Sequence, residues 1–248
     1  MSAFIKKKID NDINLYLYSE RGKLDLLYHY YLNSLHKFSI LLESCTNKND
    51  SLGGLVSGYK SFTLFSEFDL GKEGFGSPDG CIVTDNGFVI FIEGKNIKFQ
   101  DSLKLPNKGN IKGFNSSING QIELRWRFIN AFLHMQGDKI SERNILLDEY
   151  KEFDVFYENT KRKAFETSND AKYRRLADKD LLKDISEIFK NISIEKVFFL
   201  VVTKDTDYPE HEINKIRLID YASKNSINNS EKVFHFNIDK ILELCNAC

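Results

Sequence analysis

The chain predicts an α/β domain, more narrowly an α+β fold with a mixed sheet and flanking helices. Three observations point there. Phe88-Val89-Ile90-Phe91-Ile92 and Val197-Phe198-Phe199-Leu200-Val201-Val202 are apolar on both faces, as strands covered on both sides are. Residues 21–44 carry apolar side chains at three- and four-residue steps. Asp85-Asn86-Gly87 has the composition of a hairpin turn joining two strands.

Taken in order, residues 21–44 read as one helix on a stripe of Leu24, Leu27, Tyr28, Tyr31, Leu35, Phe38 and Leu42. Residues 46–58 are polar and glycine-bearing, hence a loop. Residues 61–68 alternate as a strand does, and 71–76 form a glycine-rich turn. Cys81-Ile82-Val83 is a short strand, and the hairpin leads from it into the apolar strand ending near Gly94. A polar loop covers 96–113. A second helix runs from Ser116 to about Gly137 on Ile118, Ile122, Ile129 and Leu133. Residues 139–168 have no clear periodicity. Residues 176–190 read as a helix, 197–202 as a buried strand, 210–223 as a helix, 232–236 as an edge strand, and the tail from Ile238 as a short helix. No repeat or long linker separates two domains, so 1–248 is expected to be a single domain with an insertion at about 139–195.

Composition narrows the function. Of 248 residues, 42% are hydrophobic and 13% aromatic, which excludes general disorder. With 35 basic against 36 acidic residues the net charge is -1, so the chain is no polycation that coats nucleic acid, although a local basic patch remains open. No apolar run has the length of a membrane span, and Lys6-Lys7-Lys8 has no apolar signal core behind it. No membrane partner is expected, and the expected location is cytoplasmic. Cys45, Cys81, Cys245 and Cys248 are too few and scattered for a disulfide framework. The terminal Cys245-x-x-Cys248 has no second ligand pair and reads as free thiols. No pair among the five histidines has ligand spacing, and no phosphate-binding glycine loop is present.

One constellation carries chemistry. Ser77-Pro78-Asp79-Gly80 opens one hairpin strand, and Glu93-Gly94-Lys95 closes the next. Pairing through the turn sets residue 79 against a position near 94 and brings the Asp79 carboxylate beside Glu93. Strand alternation sends Glu93 and Lys95 to one face and Gly94 to the other. Two carboxylates and a lysine at the end of an apolar hairpin are costly as mere structure. A hard divalent cation with oxygen ligands relieves the repulsion, and the lysine then stands where negative charge develops, which suits metal-assisted phosphodiester hydrolysis. The plain alternative is a turn aspartate with a surface Glu93–Lys95 pair.

Pro78-Asp79, a gap, and Glu93-Gly94-Lys95 after an apolar strand resemble the PD-(D/E)XK nuclease superfamily, also called restriction-endonuclease-like. The family core, helix, three strands, helix, strand with flanking helices, is similar to the order read above. The motif match is confined to residues 78–95. Glu149-x-Lys151 and Asp170-x-Lys172 also fit the short pattern, but neither ends an apolar strand or follows a Pro-Asp. The resemblance implies Asp79 and Glu93 as ligands of Mg2+, with Mn2+ as a substitute, and the Gly94 carbonyl as a further ligand. It implies Lys95 as the group that orients the attacking water and stabilises the transition state. The family often adds a glutamate from the first helix, for which Glu43 is the first candidate and Glu67 the rival. It also often adds a polar residue from the helix after the motif, for which Gln121 fits. Glu43 and Gln121 as plain surface residues are the bland readings.

The DNA path would be Lys98, Lys104, Lys108 and Lys112, four amines against Asp101 alone, with Arg125 one helical turn after Gln121. A solvated loop is the alternative for the lysines. Arg174 and Arg175 could extend the path, while packing explains Trp126 at least as well. The resulting expectation is a metal-dependent DNA endonuclease of restriction or defence type. The alternatives are a structure-selective repair nuclease or Holliday junction resolvase and, from another class, a non-catalytic DNA-binding module on the nuclease fold. Cutting both strands takes two sites, which a homodimer would supply, but no interface is legible.

Overall fold

The computed structural model describes residues 5–9, 13–17, 20–66, 77–95, 117–134, 189, 192–204, 208–214, 216, 218 and 226–240. Its centre is a five-stranded mixed sheet of β3 (Phe62–Ser66), β4 (Gly80–Thr84), β5 (Val89–Gly94), β6 (Val197–Thr203) and β7 (Val233–Asn237), side by side in that order. The first three strands form an antiparallel meander, and β5, β6 and β7 run parallel. Every residue of β5 and β6 is buried, as expected of strands apolar on both faces.

Alternation divides the core into two layers. Ile82, Ile90, Ile92, Phe198, Leu200, Val202, Phe234 and Phe236 face α1 (Glu20–Tyr31), α2 (Leu35–Ser44) and α3 (Leu52–Leu55). Cys81, Val89, Phe91, Val197, Phe199, Val201 and Val233 face α4 (Ile118–His134) together with Phe189, Ile192, Ile213, Ile216 and Leu218. The chain is thus α+β, with helices on both faces of a mixed sheet. Among the described residues no helix is long and apolar enough to cross a membrane.

The β4–β5 hairpin turns where the sequence indicates. Thr84 N–H donates to Phe88 O (3.0 Å), and Gly87 has φ 85°, the left-handed conformation that closes a three-residue loop. Asp85 Oδ1 accepts from the Lys60 and Ser61 amides at 2.9 and 3.2 Å, tying the turn to the start of β3.

Several elements differ from expectation. Residues 21–44 form two helices, because the Ser34 side chain caps α2 by accepting from Lys37 N–H at 3.3 Å. The stripe crosses the break since both helices pack on the same sheet face, and the cost to the pattern is Leu35, 44% exposed. Residues 46–58 are not wholly loop: Ser51 caps the short α3, and Thr46 bridges His235 on the outer edge of β7. Of the helix expected over 210–223, the described residues form one turn, α5 (Glu210–Ile213), and 219–223 lie outside the described residues. Past it Ile227 N–H donates to Leu218 O (2.7 Å) and Asn229 Nδ2 to Ile213 O (3.0 Å), and the buried Ile216 and Leu218 serve the core outside a helix. The N-terminal hairpin, β1 (Ile5–Ile9) with β2 (Ile13–Leu17), has no counterpart in the sequence reading. The Gly71–Gly76 turn, most of the 139–195 insertion and of the 176–190 helix, and the tail beyond Lys240 with Cys245 and Cys248 lie outside the described residues. Phe189 is a described residue of that helix, and it packs edge-on to Phe128 with ring centroids 6.3 Å apart. Cys45 and Cys81 are buried free thiols.

Lys232 supplies a test of the fold's electrostatics. Its Nζ donates to Glu195 O at 2.7 Å and lies 4.8 Å from the Phe198 ring centroid. Burial pushes its pKa down to about 8, against the pull of Glu195 and Glu231. Below that value both folded and unfolded chains carry the proton. From there up to the ordinary lysine range only the unfolded chain does, so stability rises with pH across that window. Urea unfolding of wild type and Lys232→Met at about pH 8 and pH 10 should show the rise in the wild type alone.

Candidate active site

The register Gly80↔Ile92 sets Asp79 level with Glu93, one position from the place the sequence reading gave it. Asp79 is half-buried, and its Oδ2 accepts a hydrogen bond from Gly94 N–H at 2.8 Å. This fixes the carboxylate against the end of β5. From the other layer, the Tyr28 hydroxyl donates to Asp79 O at 2.8 Å. Two glycines let α1 come this near. A Cβ at Gly80 would run into the Tyr28 hydroxyl, and one at Gly94 would lie 2.8 Å from Leu24 Cδ1. Tyr28, read from sequence only as part of a helix stripe, is therefore a positioning residue. The local signal for it was the small Gly80 beside the aspartate.

Glu93 points the other way, beneath α4. Its side chain is 1% exposed, and its Oε1 lies 3.0 Å from Nη2 of Arg125, itself 2% exposed. The contact is ionic and poorly directed: among the described residues both Glu93 carboxylate oxygens, Arg125 Nε and Arg125 Nη1 have no hydrogen-bond partner. Burial pushes the Glu93 carboxyl up to about 7. Arg125 opposes the rise, Asp79 adds to it and Lys95 opposes it. The charges acting on Glu93 are thus those of the motif together with Arg125. Lys95 is half-buried, and its N–H donates to Val202 O at 2.9 Å, continuing the parallel ladder past the end of β5.

The remaining candidates separate. Gln121 stands one turn before Arg125 on α4, partly buried, and its Oε1 is enclosed without a hydrogen-bond partner among the described residues. Arg125, assigned from sequence to a DNA path, is instead buried against Glu93, because the carboxylate beneath α4 requires a cation there. Glu43 is exposed at the end of α2, where its Oε2 accepts from Ser51 Oγ at 2.9 Å, and it is not among the charges that act on Glu93. Of the two helices in 21–44, α1 is the one that reaches the motif, through Leu24 and Tyr28. Glu67, Lys98, Lys104, Lys108, Lys112, Arg174 and Arg175 lie outside the described residues. His235 is engaged with Thr203, its Nε2 2.8 Å from Oγ1.

Whether these residues suit a divalent ion turns on their donor set. Among the described residues no three of His, Cys, Asp and Glu group as a metal site. Magnesium, however, keeps several waters and commonly takes only one or two carboxylates. Asp79 and Glu93 supply two, and the enclosed Glu93 Oε2, with no hydrogen-bond partner, is the oxygen a cation would satisfy. The set fits a hard, partly hydrated ion.

Comparisons with protein-family models, with curated proteins and with solved structures give no match for this chain.

Two outcomes test this geometry. Between about 4.5 and 7 the folded chain holds a proton on Glu93 that the unfolded chain has lost, so stability falls as pH rises through that window. Glu93→Gln removes this dependence. Its stability relative to wild type, from denaturant unfolding without divalent ions, should therefore increase from about pH 4.5 to pH 7. Gly94→Ala should lose about 1–3 kcal/mol in the same assay by overpacking Leu24. An unchanged midpoint would mean that α1 does not pack so closely.

Proposed function

We propose that the chain is a Mg2+-dependent nuclease that hydrolyses phosphodiester bonds in DNA, built on a restriction-endonuclease-like core of the PD-(D/E)XK type. The observation that carries this reading is the register of the hairpin. Asp79 stands level with a buried Glu93, is held by the Gly94 amide, and has Lys95 two residues beyond the second carboxylate. The order helix, antiparallel three-strand meander, helix, parallel strand supports it, with the motif at the end of the third strand of the meander.

Asp79, Glu93 and the Gly94 carbonyl would hold Mg2+, and Mn2+ should substitute. When bound, the ion supplies Lewis-acid stabilisation of charge on a phosphate. The chain does the rest. The Gly94 amide keeps Asp79 in one orientation, and Tyr28 anchors the backbone beneath it. Lys95 orients the attacking water and offsets the charge that builds in the transition state. DNA would approach along the lysines of 96–113. A restriction or defence enzyme is preferred because the long segment before Ile192 could read sequence. A repair nuclease or Holliday junction resolvase remains the alternative within the same chemistry. Cleavage of both strands would call for a homodimer.

One observation favours a reading from another class. Arg125 already gives Glu93 a cation from within the chain, as a non-catalytic DNA-binding module on this fold would require. Calorimetric titration with Mg2+ or Mn2+ separates the two. Binding lost in Asp79→Ala supports the nuclease, and absence of binding supports the module.

The direct test is incubation with plasmid, linear, branched and single-stranded DNA in Mg2+. Lys95→Ala should bind DNA and metal yet cut at least about a hundredfold more slowly in single turnover, a loss on the order of 3 kcal/mol in barrier. An exposed Glu–Lys pair would be worth only about 0–1 kcal/mol. A fast-cutting variant, or one that fails only by losing DNA, would remove Lys95 from the mechanism.

A further inference from the structure

The proposed chemistry makes no use of the Arg125–Glu93 contact, yet it is one of the most buried charged contacts described. Arg125 Nη2 lies 3.0 Å from Glu93 Oε1, with the two side chains 2% and 1% exposed. A buried ion pair offsets its desolvation only when its remaining lone pairs and protons are also satisfied. Here they are not. Among the described residues neither Glu93 oxygen accepts a hydrogen bond, Arg125 Nε and Nη1 donate none, and Gln121 Oε1, one turn earlier on α4, is enclosed in the same condition. A guanidinium built to lock a carboxylate uses a bidentate fork. This one approaches a single oxygen, and neither oxygen is hydrogen-bonded among the described residues.

We infer that Arg125 is an internal competitor for Glu93 that sets the protein's affinity for divalent cations. It neutralises the carboxylate when no ion is bound and weakens its pull when one arrives. The inference rests on the reading of Asp79 and Glu93 as metal ligands. Two cations sharing one carboxylate repel each other and divide its charge. An opposite charge this close changes a carboxylate's affinity for a proton by about ten- to a thousandfold, and a divalent ion meets the same competitor. Glu93 Oε2 is the oxygen left for the ion, while Oε1 faces Arg125. Placing the competitor on α4, in the opposite layer from the Tyr28 anchor, separates the residue that tunes ion affinity from the one that positions Asp79. Arg125 is thus a tuning residue that acts through Glu93.

The test is calorimetric titration of Mn2+, and separately Mg2+, into the metal-free full chain, with thermal unfolding alongside. Arg125→Met should bind at least about tenfold more tightly than wild type. Without an ion it should be less stable than wild type, because Glu93 loses its partner, and saturating Mg2+ should raise its melting temperature more. Arg125→Lys keeps a charge on a differently shaped head and should fall between the two. It carries the test should Arg125→Met not fold without an ion. Affinity unchanged or weakened in the folded Arg125 variants, with binding still abolished by Asp79→Ala, overturns the role of Arg125 and leaves the metal site standing. Binding that survives unchanged in Asp79→Ala, or is absent from wild type and Arg125 variants alike, overturns both.

Discussion

The structure depends on one constraint, a carboxylate at the end of a strand that is buried on both faces. Every residue of β5 is enclosed, Glu93 included. An ionised carboxylate cannot stay in such a place unanswered. Three responses are present together. The group moves toward neutrality, its pKa raised by burial. A cation from α4 is brought to it. Lys95 stands at the hairpin's end within electrostatic range and favours the ionised form, while Asp79 opposes it. None is complete, since Oε2 is left without a hydrogen bond and the proton is held only up to about neutral pH. A buried pair kept for stability alone is a poor use of the position, because well-packed apolar residues of similar volume usually do as well or better.

The two-layer arrangement turns this constraint into a site. Alternation along β5 sends Val89, Phe91 and Glu93 toward α4, and Ile90, Ile92 and Gly94 toward α1. The same three residues at the strand's end therefore face two environments. Gly94 admits Leu24 on one side and gives its amide to Asp79, while Glu93 is enclosed on the other. The reversal of strand direction matters as well. The antiparallel hairpin with β4 sets Asp79 beside Glu93, and the parallel pairing with β6 covers the far edge of β5 and continues through Lys95. A sheet of one type would not supply both.

Much of this was legible in the sequence, for physical reasons that also explain the rest. Short apolar runs rich in Val, Ile and Phe fit strands covered on both faces, so β5 and β6 were plain, and Asp85-Asn86-Gly87 determined the hairpin register to within one residue. The break at Ser34 was hidden because both helices serve one sheet face and so share one stripe. Only the Asn33-Ser34 pair, a good cap, betrayed it. Glu43 was the candidate because the resemblance implies a glutamate from the first helix and residues 21–44 were read as one helix, whereas the break at Ser34 puts Glu43 on α2. Over 210–223 the helix reading fails past Ile213, where the buried Ile216 and Leu218 serve the core outside a helix. The burial of Arg125 against Glu93 was missed for another reason. A cation one turn from a polar candidate was read as facing a ligand, although the buried Glu93 already required a cation inside the protein.

That requirement also separates the motif from its look-alikes. Glu149-x-Lys151 and Asp170-x-Lys172 have the same spelling as Glu93-x-Lys95, and spacing alone cannot rank them. Desolvation can. Nothing in the charged, mixed sequence around Glu149 or Asp170 predicts that the acidic group loses its water. An acidic residue at the end of Val89-Ile90-Phe91-Ile92 loses its water by virtue of the strand it terminates. It then obliges the fold to present a cation, a proton or a metal at that point. The chain presents the first from α4 and is poised for the second near neutrality. The third is the one we propose, and the Gly94 amide already holds the Asp79 carboxylate in one orientation. The useful signal in such a sequence is therefore the apolar strand before the glutamate, which makes the short motif expensive enough to carry meaning.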